Sequence, residues 1–299
     1  MATVNQRVKT PQGVVVNGVD VGGVMTARIN SGYDVIAKST PDGLALPVKD
    51  KECQFVRGTI VTQDWVHAVD LLTGTVGTKV FFERRAGIAE TTGYIKHTIT
   101  KPVIHNVTIT LTKEGYAVCS YDFECRAADE TKGIADMWAL LDGQAKPSYL
   151  AAAWGGLRIL TALHAAVPIY HVTAFSFTLT IPLSKACNDG DVGYTCVDAD
   201  LDAMTAAGSI TFQDSSIATA TLLAQRLTVA APAALVLSIR QGQGAASKTL
   251  TIANADFNSF DSSGGGGLGF TEHTGRFDVA NLTGTPLTLA GANKIITIA

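Results

Sequence analysis

The chain has 299 residues, of which 46% are hydrophobic and 16% charged, and its 23 basic and 26 acidic side chains give a formal charge of −3. That apolar content excludes a disordered chain, and the near-neutral balance excludes a basic protein that coats nucleic acid. The charged fraction lies well below the roughly 25% of a typical soluble chain, as expected of a subunit whose surface is covered in an assembly.

The segment from Met1 to Pro11 lacks the apolar stretch of a secretory signal. Val24 to Ile36 reads as a strand. A turn-rich loop follows from Lys38 to Asp50, with Pro41-Asp42-Gly43 as its turn signal. A strand runs from about Gln54 to Thr62. Asp64 is placed to cap a helix carrying Trp65, Val69 and Leu72 on one face, with Gly74 to end it. Strands follow near Thr78–Arg84 and Gly93–Lys101. Val107, Ile109 and Leu111 then alternate with Thr108, Thr110 and Thr112, and Lys113-Glu114-Gly115 turns the chain into a strand from Tyr116 to Arg126. On that strand Cys119, Tyr121, Phe123 and Cys125 share one face and Ser120, Asp122 and Glu124 the other. Asp129 to Gly143 reads as a helix with a stripe of Ile134, Met137, Trp138 and Leu141. Pro147 marks a boundary, dividing the chain into residues 1–146 and 147–299.

The run from Ile159 to Ser184 has no formal charge and is long enough to suggest a membrane span. Pro168, Pro182, His164 and His171 oppose that reading. From Thr173 the run alternates, with Phe175, Phe177, Leu179 and Ile181 against Ser176, Thr178 and Thr180, so it reads as a strand with one buried face. No membrane is expected as a partner. Strand Val172–Leu183 leads to a loop from Ser184 to Asp200. A strand near Gly208–Phe212 leads to a second helix, capped by Asp214. Strands follow at Ala234–Arg240, Lys248–Ala253, Arg276–Val279 and Lys294–Ile298, and Asn258–Gly267 reads as a flexible Gly/Ser-rich loop.

One segment occurs twice. Gly58-Thr-Ile-Val-Thr-Gln63-Asp64 is matched by Gly208-Ser-Ile-Thr-Phe-Gln213-Asp214, 150 positions later and half the chain away. Each copy precedes a paired leucine, Leu71-Leu72 or Leu222-Leu223. Farther on, Thr98-Ile-Thr100 is matched by Thr249-Leu-Thr251. Preserved order on both sides points to a tandem duplication. Each half is expected to be mainly β, a sandwich or barrel-forming antiparallel sheet with one packed helix.

The sequence offers little chemistry. Its five cysteines are odd in number and include no Cys-x-x-Cys, which suits a reduced compartment. Cys187 and Cys196 flank the loop Asn188–Thr195, and a disulfide or a metal pair there stays open. No phosphate-binding loop, His-Glu-x-x-His or Gly-x-Ser-x-Gly is present. His97 and His105 with Cys119 and Cys125 lack the close ligand pairs of a zinc site. Asp189/Asp191 and Asp198/Asp200/Asp202 lack the terminal bidentate Glu of a calcium loop. No catalytic residue, cofactor or metal is therefore expected, and the chain is read as not an enzyme.

In its order of elements, the repeated unit resembles the tail tube proteins of long-tailed bacteriophages: strand, long loop, strand ending in Gly58–Asp64, short helix, further strands and a closing hairpin. The tube fold is shared by baseplate hub, distal tail and type VI secretion tube proteins. The resemblance implies rings of six tube domains whose inner strands join into one β-barrel, stacked into a channel through which the genome leaves. Most members carry one domain; this chain carries two, so three chains would complete a pseudo-sixfold ring. The implied partners are copies of the chain, other tail proteins, and DNA that passes without specific binding. The implied location is the virion tail, assembled in the host cytoplasm.

Under the same resemblance the long early loops reach a neighbouring ring. The ring-stacking candidates by position are Pro41, Asp42, Gly43, Leu44, Leu46 and Val48, and in the second half Asp189, Asp191 and Tyr194. The repeated helix entry is defined by Gly58, Gln63, Asp64, Gly208, Gln213 and Asp214. The lumen is expected to be neutral to negative, because cumulative Lys/Arg contacts would hold phosphate. The alternatives are a trimeric baseplate hub or distal tail protein of the same fold, or a capsid decoration or fibre protein with Asn258–Phe270 as its tip.

Overall fold

Residues with β-branched or aromatic side chains at period two leave each strand with one apolar face, and the fold follows from burying those faces. A computed structural model describes residues 7–16, 19–38, 48–67, 78–85, 94–113, 115–125, 134–144, 157–165, 167–187, 195–199, 203–213, 231–241, 246–264, 271–281, 287–288 and 294–299. It is mainly β, and its largest element is an antiparallel sheet of 12 strands.

A first, five-stranded sheet has the order β2 (Val19–Val21), β1 (Arg7–Val16), β5 (Thr78–Arg85), β6 (Tyr94–Ile99) and β9 (Trp138–Gln144). The large sheet begins with β11 (Val167–Ile169), β10 (Leu157–His164), β16 (Ala233–Gln241) and β17 (Ser247–Ser263). It continues through β18 (Glu272–Val279), β15 (Thr205–Gln213) and β12 (Val172–Thr180). It ends on β7 (Pro102–Thr112), β8 (Val118–Cys125), β4 (Val48–Thr62) and β3 (Val24–Lys38). The last strand, β19 (Ile296–Ile298), pairs with β17. A separate hairpin joins β13 (Leu183–Cys187) to β14 (Thr195–Ala199).

Strand β17 is long enough to serve two layers: residues 247–255 pair with β16, and residues 255–263 pair with β18. The order β11-β10-β16-β17-β19 therefore matches β2-β1-β5-β6-β9 strand for strand. Likewise β12-β15-β18-β17 matches β3-β4-β8-β7. The match extends to single residues. Gly58 pairs with Ile29 of β3 and Phe123 of β8; Gly208 pairs with Phe177 of β12 and Phe277 of β18.

Register irregularities recur at the same places: between Ile104 and Asn106 and between Phe257 and Ser259; between Val24 and Thr26 and between Val172 and Ala174; between Pro11 and Gly13 and between Ile159 and Thr161. Bulges of this kind bend a strand and raise its twist, so the two sets of strands bend alike. Where the chain passes from one layer to the other, Lys101 and Asn254 both hold a φ of 47°.

The apolar faces meet in one core cluster. Val107, Ile109, Leu111, Tyr121, Phe123, Phe175, Phe177, Leu179, Phe212 and Phe277 line it from the four-stranded layers; Val14, Val16, Ile99, Leu235, Leu237, Ile239, Leu250 and Ile252 line it from the five-stranded ones. The thiols of Cys119 and Cys125 are buried within it. Full burial of each such side chain contributes roughly 1.5–3 kcal/mol.

Several expectations need correction. The helix expected over Asp129–Gly143 is a single turn, α1 (Ile134–Met137), and Trp138 opens β9 instead. Only Met137 of the stripe is fully buried, and Leu141 is exposed. Strand pairing with β6 captured this segment, because main-chain bonds along Trp138–Gln144 complete the edge of the five-stranded sheet. The loop expected over Ser184–Asp200 is largely the β13–β14 hairpin. Asn258–Ser263, expected to be a flexible loop, is strand β17 paired with β18. Of the helices expected after Asp64 and Asp214, Trp65 to His67 form a bend and turn, and the remaining residues, with Asp214 itself, lie outside the described ones.

Candidate functional site

The two four-stranded layers are joined edge to edge by β7 and β12, in register from Asn106 opposite Thr180 to Thr112 opposite Ala174. This seam is closed on its apolar side: Val107, Ile109, Phe177 and Leu179 are at most 1% exposed. On its polar side Thr108 and Thr178 meet through their hydroxyls at 3.3 Å. Two flanking bonds extend it, from Lys113 N to Thr173 O and from Ile181 N to His105 O. The result is one uninterrupted eight-stranded surface, β3-β4-β8-β7-β12-β15-β18-β17.

Its second face is polar and free of the core. The central strands present Thr108, Thr110, Ser176, Thr178, Ser209 and Thr211, and hydroxyl pairs cross between strands, as at Ser176–Ser209 (2.8 Å) and Thr211–Thr274 (3.1 Å). Charges sit toward the two flanks. Asp122 accepts from Thr59 Oγ1 at 2.6 Å and from Asn106 Nδ2 at 3.0 Å. At the matching position of β18 stands Arg276, which pairs with Asp261 at 3.3 Å with both side chains more than half exposed. The sign of the charge therefore inverts between the halves. Among the residues whose side chains are described, the register puts Arg28, Arg57 and Arg276 on this side against Asp122, Glu124, Asp256, Asp261, Glu272 and Asp278, of which Glu124 is buried.

A shallow depression of about 310 Å³ opens on this face, lined by Arg28, Asn30, Arg57, Thr59, His105 and Asp122 over Gly58 and Phe123. The matching residues of the second half are Ser176, Thr178, Ala207, Ser209 and Arg276, so Arg28 and Arg57 have no charged counterpart there and the Asp122 carboxylate is replaced by an arginine. The Arg57 guanidinium lies 4.0 Å over the Phe55 ring, a cation–π contact that holds it flat against the sheet.

Asp64, expected as a helix cap, is 2% exposed and ties several segments together. Its carboxylate accepts from Gly22 N at 3.1 Å, His67 N at 3.2 Å and His67 Nδ1 at 2.6 Å. Its own amide donates to Thr62 Oγ1, whose hydroxyl donates to Gly22 O. The bond to His67 N has the form of a cap; the bond to Gly22 N fastens the β2–β3 corner, and Asp64 is thus a junction between strands. Gln63 N donates to Gly23 O and Gln213 N to His171 O, the same bond in each half. Gly58 and Gly208 stand in matching close approaches, to Phe123 and to Phe277.

The remaining sequence candidates are placed less fully. Val48 opens β4 opposite Lys38, so both ends of the expected loop Lys38–Asp50 are strand, and residues 39–47 lie outside the described ones. Pro41, Asp42, Gly43, Leu44, Leu46, Asp189, Asp191 and Tyr194 lie outside the described residues. In the β13–β14 hairpin Cys187 is opposite Thr195 and Cys196 is opposite Ala186. Sequence reading missed β1, β2, β10 and β11; the signal for the first two was the short valine run Val14-Val15-Val16 with Val19 and Val21, whereas Leu157–His164 carries no period-two alternation.

The buried thiols of Cys119 and Cys125 and the Tyr121 phenol are held in their neutral forms. Burial pushes the Cys119 thiol up to about 12, with the nearby Asp64 charge adding to it. Burial likewise raises Cys125 and Tyr121 well above their ordinary values. Such groups resist ionisation and make poor nucleophiles. What the arrangement offers is a large hydroxyl-rich surface with two strand edges. The chain matches no known family model and no curated protein sequence.

Proposed function

We propose that the chain is a structural virion protein, a self-assembling tail tube subunit whose two tandem domains, residues 1–146 and 147–299, supply neighbouring staves of a barrel around a channel for viral DNA. The observation that carries this reading is the β7–β12 seam, by which two layers of like pairing scheme sit side by side in one continuous sheet. A unit that joins its own twin edge to edge can join further copies the same way, and closure into a barrel removes the exposed edges that otherwise aggregate. Three chains would supply six such layers.

The polar face suits a bore. It is rich in Ser and Thr, and among the described side chains its six carboxylates outnumber its three arginines, so passing phosphate finds no continuous basic track there. In this reading DNA transits without specific binding, no cofactor or metal takes part, and the other partners are further tail proteins, in the virion tail assembled in the host cytoplasm. Light scattering on the purified protein tests it. Masses at multiples of three chains support the reading, and a monomer at assembly-competent concentration rejects it. A lone three-chain species that never stacks assigns the chain to the ring-forming hub or distal tail class instead.

A further inference from the structure

We infer that the outer edges of the eight-stranded surface bind a second copy of this chain in the register of the internal seam, so that Asn30 of one copy lies opposite Asp261 of the next. The inference rests on the tube reading and adds its residue-level contact. Among the described residues, β3 pairs only with β4, and residues 257–263 of β17 pair only with β18. A strand the length of β3, 15 residues, with one edge left without a neighbour is a template for another chain.

The pairing scheme fixes which partner fits. β3 corresponds to β12, and β17 corresponds to β7, because each shares its neighbour's register and its bulge. Transferring the seam gives Gly32 opposite Ser259, Asn30 opposite Asp261 and Arg28 opposite Ser263. The outcome is chemically consistent. The polar side would join Arg28 and Asn30 to Ser263 and Asp261, with one arginine beside one carboxylate. The apolar side would cover Ile29 and Phe260, which are only partly buried, whereas their counterparts Phe177 and Val107 at the closed seam are each 1% exposed. The contact is heterologous, one edge meeting a different edge, and such contacts close into rings when the rotation per copy allows.

Cysteine cross-linking tests the register. Thr108→Cys with Thr178→Cys is the internal standard and should form a disulfide within one chain. Asn30→Cys with Asp261→Cys should form disulfides between chains, giving bands of two and three chains on a non-reducing gel. Arg28→Cys with Ser259→Cys, four residues out of register, should not, and neither single variant should. Rings that cross-link at 28/259 or at neither pair overturn the register while leaving the tube reading in place. Native protein that forms no assembly overturns both.

Discussion

Gly58 lies directly opposite Phe123, and the space a β-carbon would need at Gly58 is taken by that ring, whose Cζ would stand 2.6 Å from it, and by the Arg28 backbone oxygen. Gly208 stands in the same relation to Phe277, at 2.5 Å, and to the Ser176 oxygen. The repeated glycine thus has a packing reason: an aromatic on the neighbouring strand folds over a residue without a side chain. Gly58→Ala and Gly208→Ala should each destabilise the fold by about 1–3 kcal/mol through overpacking. Chemical denaturation of the two variants should give losses of similar size; a neutral result at either position contradicts the packing account.

Asp64 separates its charge from its hydrogen bonds. Asp64→Ala leaves the Gly22 and His67 amides without their acceptor, at about 1–3 kcal/mol for each that stays dry. Asp64→Asn keeps an acceptor oxygen and should lose less. Equal losses in the two variants, measured by thermal unfolding, contradict the junction role.

His97 is half-buried, and Trp138 Nε1 donates to its Nδ1 at 3.1 Å. Burial lowers its pKa from the ordinary 6.5. A histidine whose folded pKa is depressed stays neutral while the unfolded chain takes up a proton. Stability is therefore full above about pH 6.5 and falls as pH drops below it, until the folded pKa is reached. His97→Gln, which keeps an acceptor for Trp138 and does not titrate, should flatten the unfolding midpoint between pH 7 and pH 5. An unchanged pH profile contradicts the assignment.

The segment between β3 and β4 includes Leu44 and Leu46, an apolar pair poorly suited to water. Deleting residues 42–47 should leave folded subunits with an unchanged far-ultraviolet circular dichroism spectrum, and should abolish long tubes. Normal tubes from this variant contradict a role for the segment in stacking rings.

Much of the fold was legible where a strand has one wet face. The alternations at Val107–Thr112, Cys119–Cys125 and Phe175–Ile181 placed strands and named the buried side correctly, because period two directly encodes a half-buried strand. The repeat at Gly58 and Gly208 was legible because the same close packing demands the same residue twice. The match of Thr98–Thr100 to Thr249–Thr251 was two residues out: pairing aligns Ile99 with Ile252, through Thr78 and Leu235. Trp138–Gln144 was misread as helix, since apolar residues three and four apart also fit a short edge strand, and its partner β6 lies some forty residues away. Asn258–Ser263 was misread as loop because Ser and Gly neighbours signal turns, while the pairing that orders it comes from β18. Of the candidate site, the seam was invisible: no local pattern tells which strand of one half meets which strand of the other.

Electron microscopy of the purified protein tests the central claim most directly. Tubes are expected with an axial repeat of ~40 Å, the scale of one such sandwich domain, and with end views that average to threefold rings of six similar lobes. Dispersed single chains, or rings in which the two halves of each chain do not alternate around one bore, contradict it.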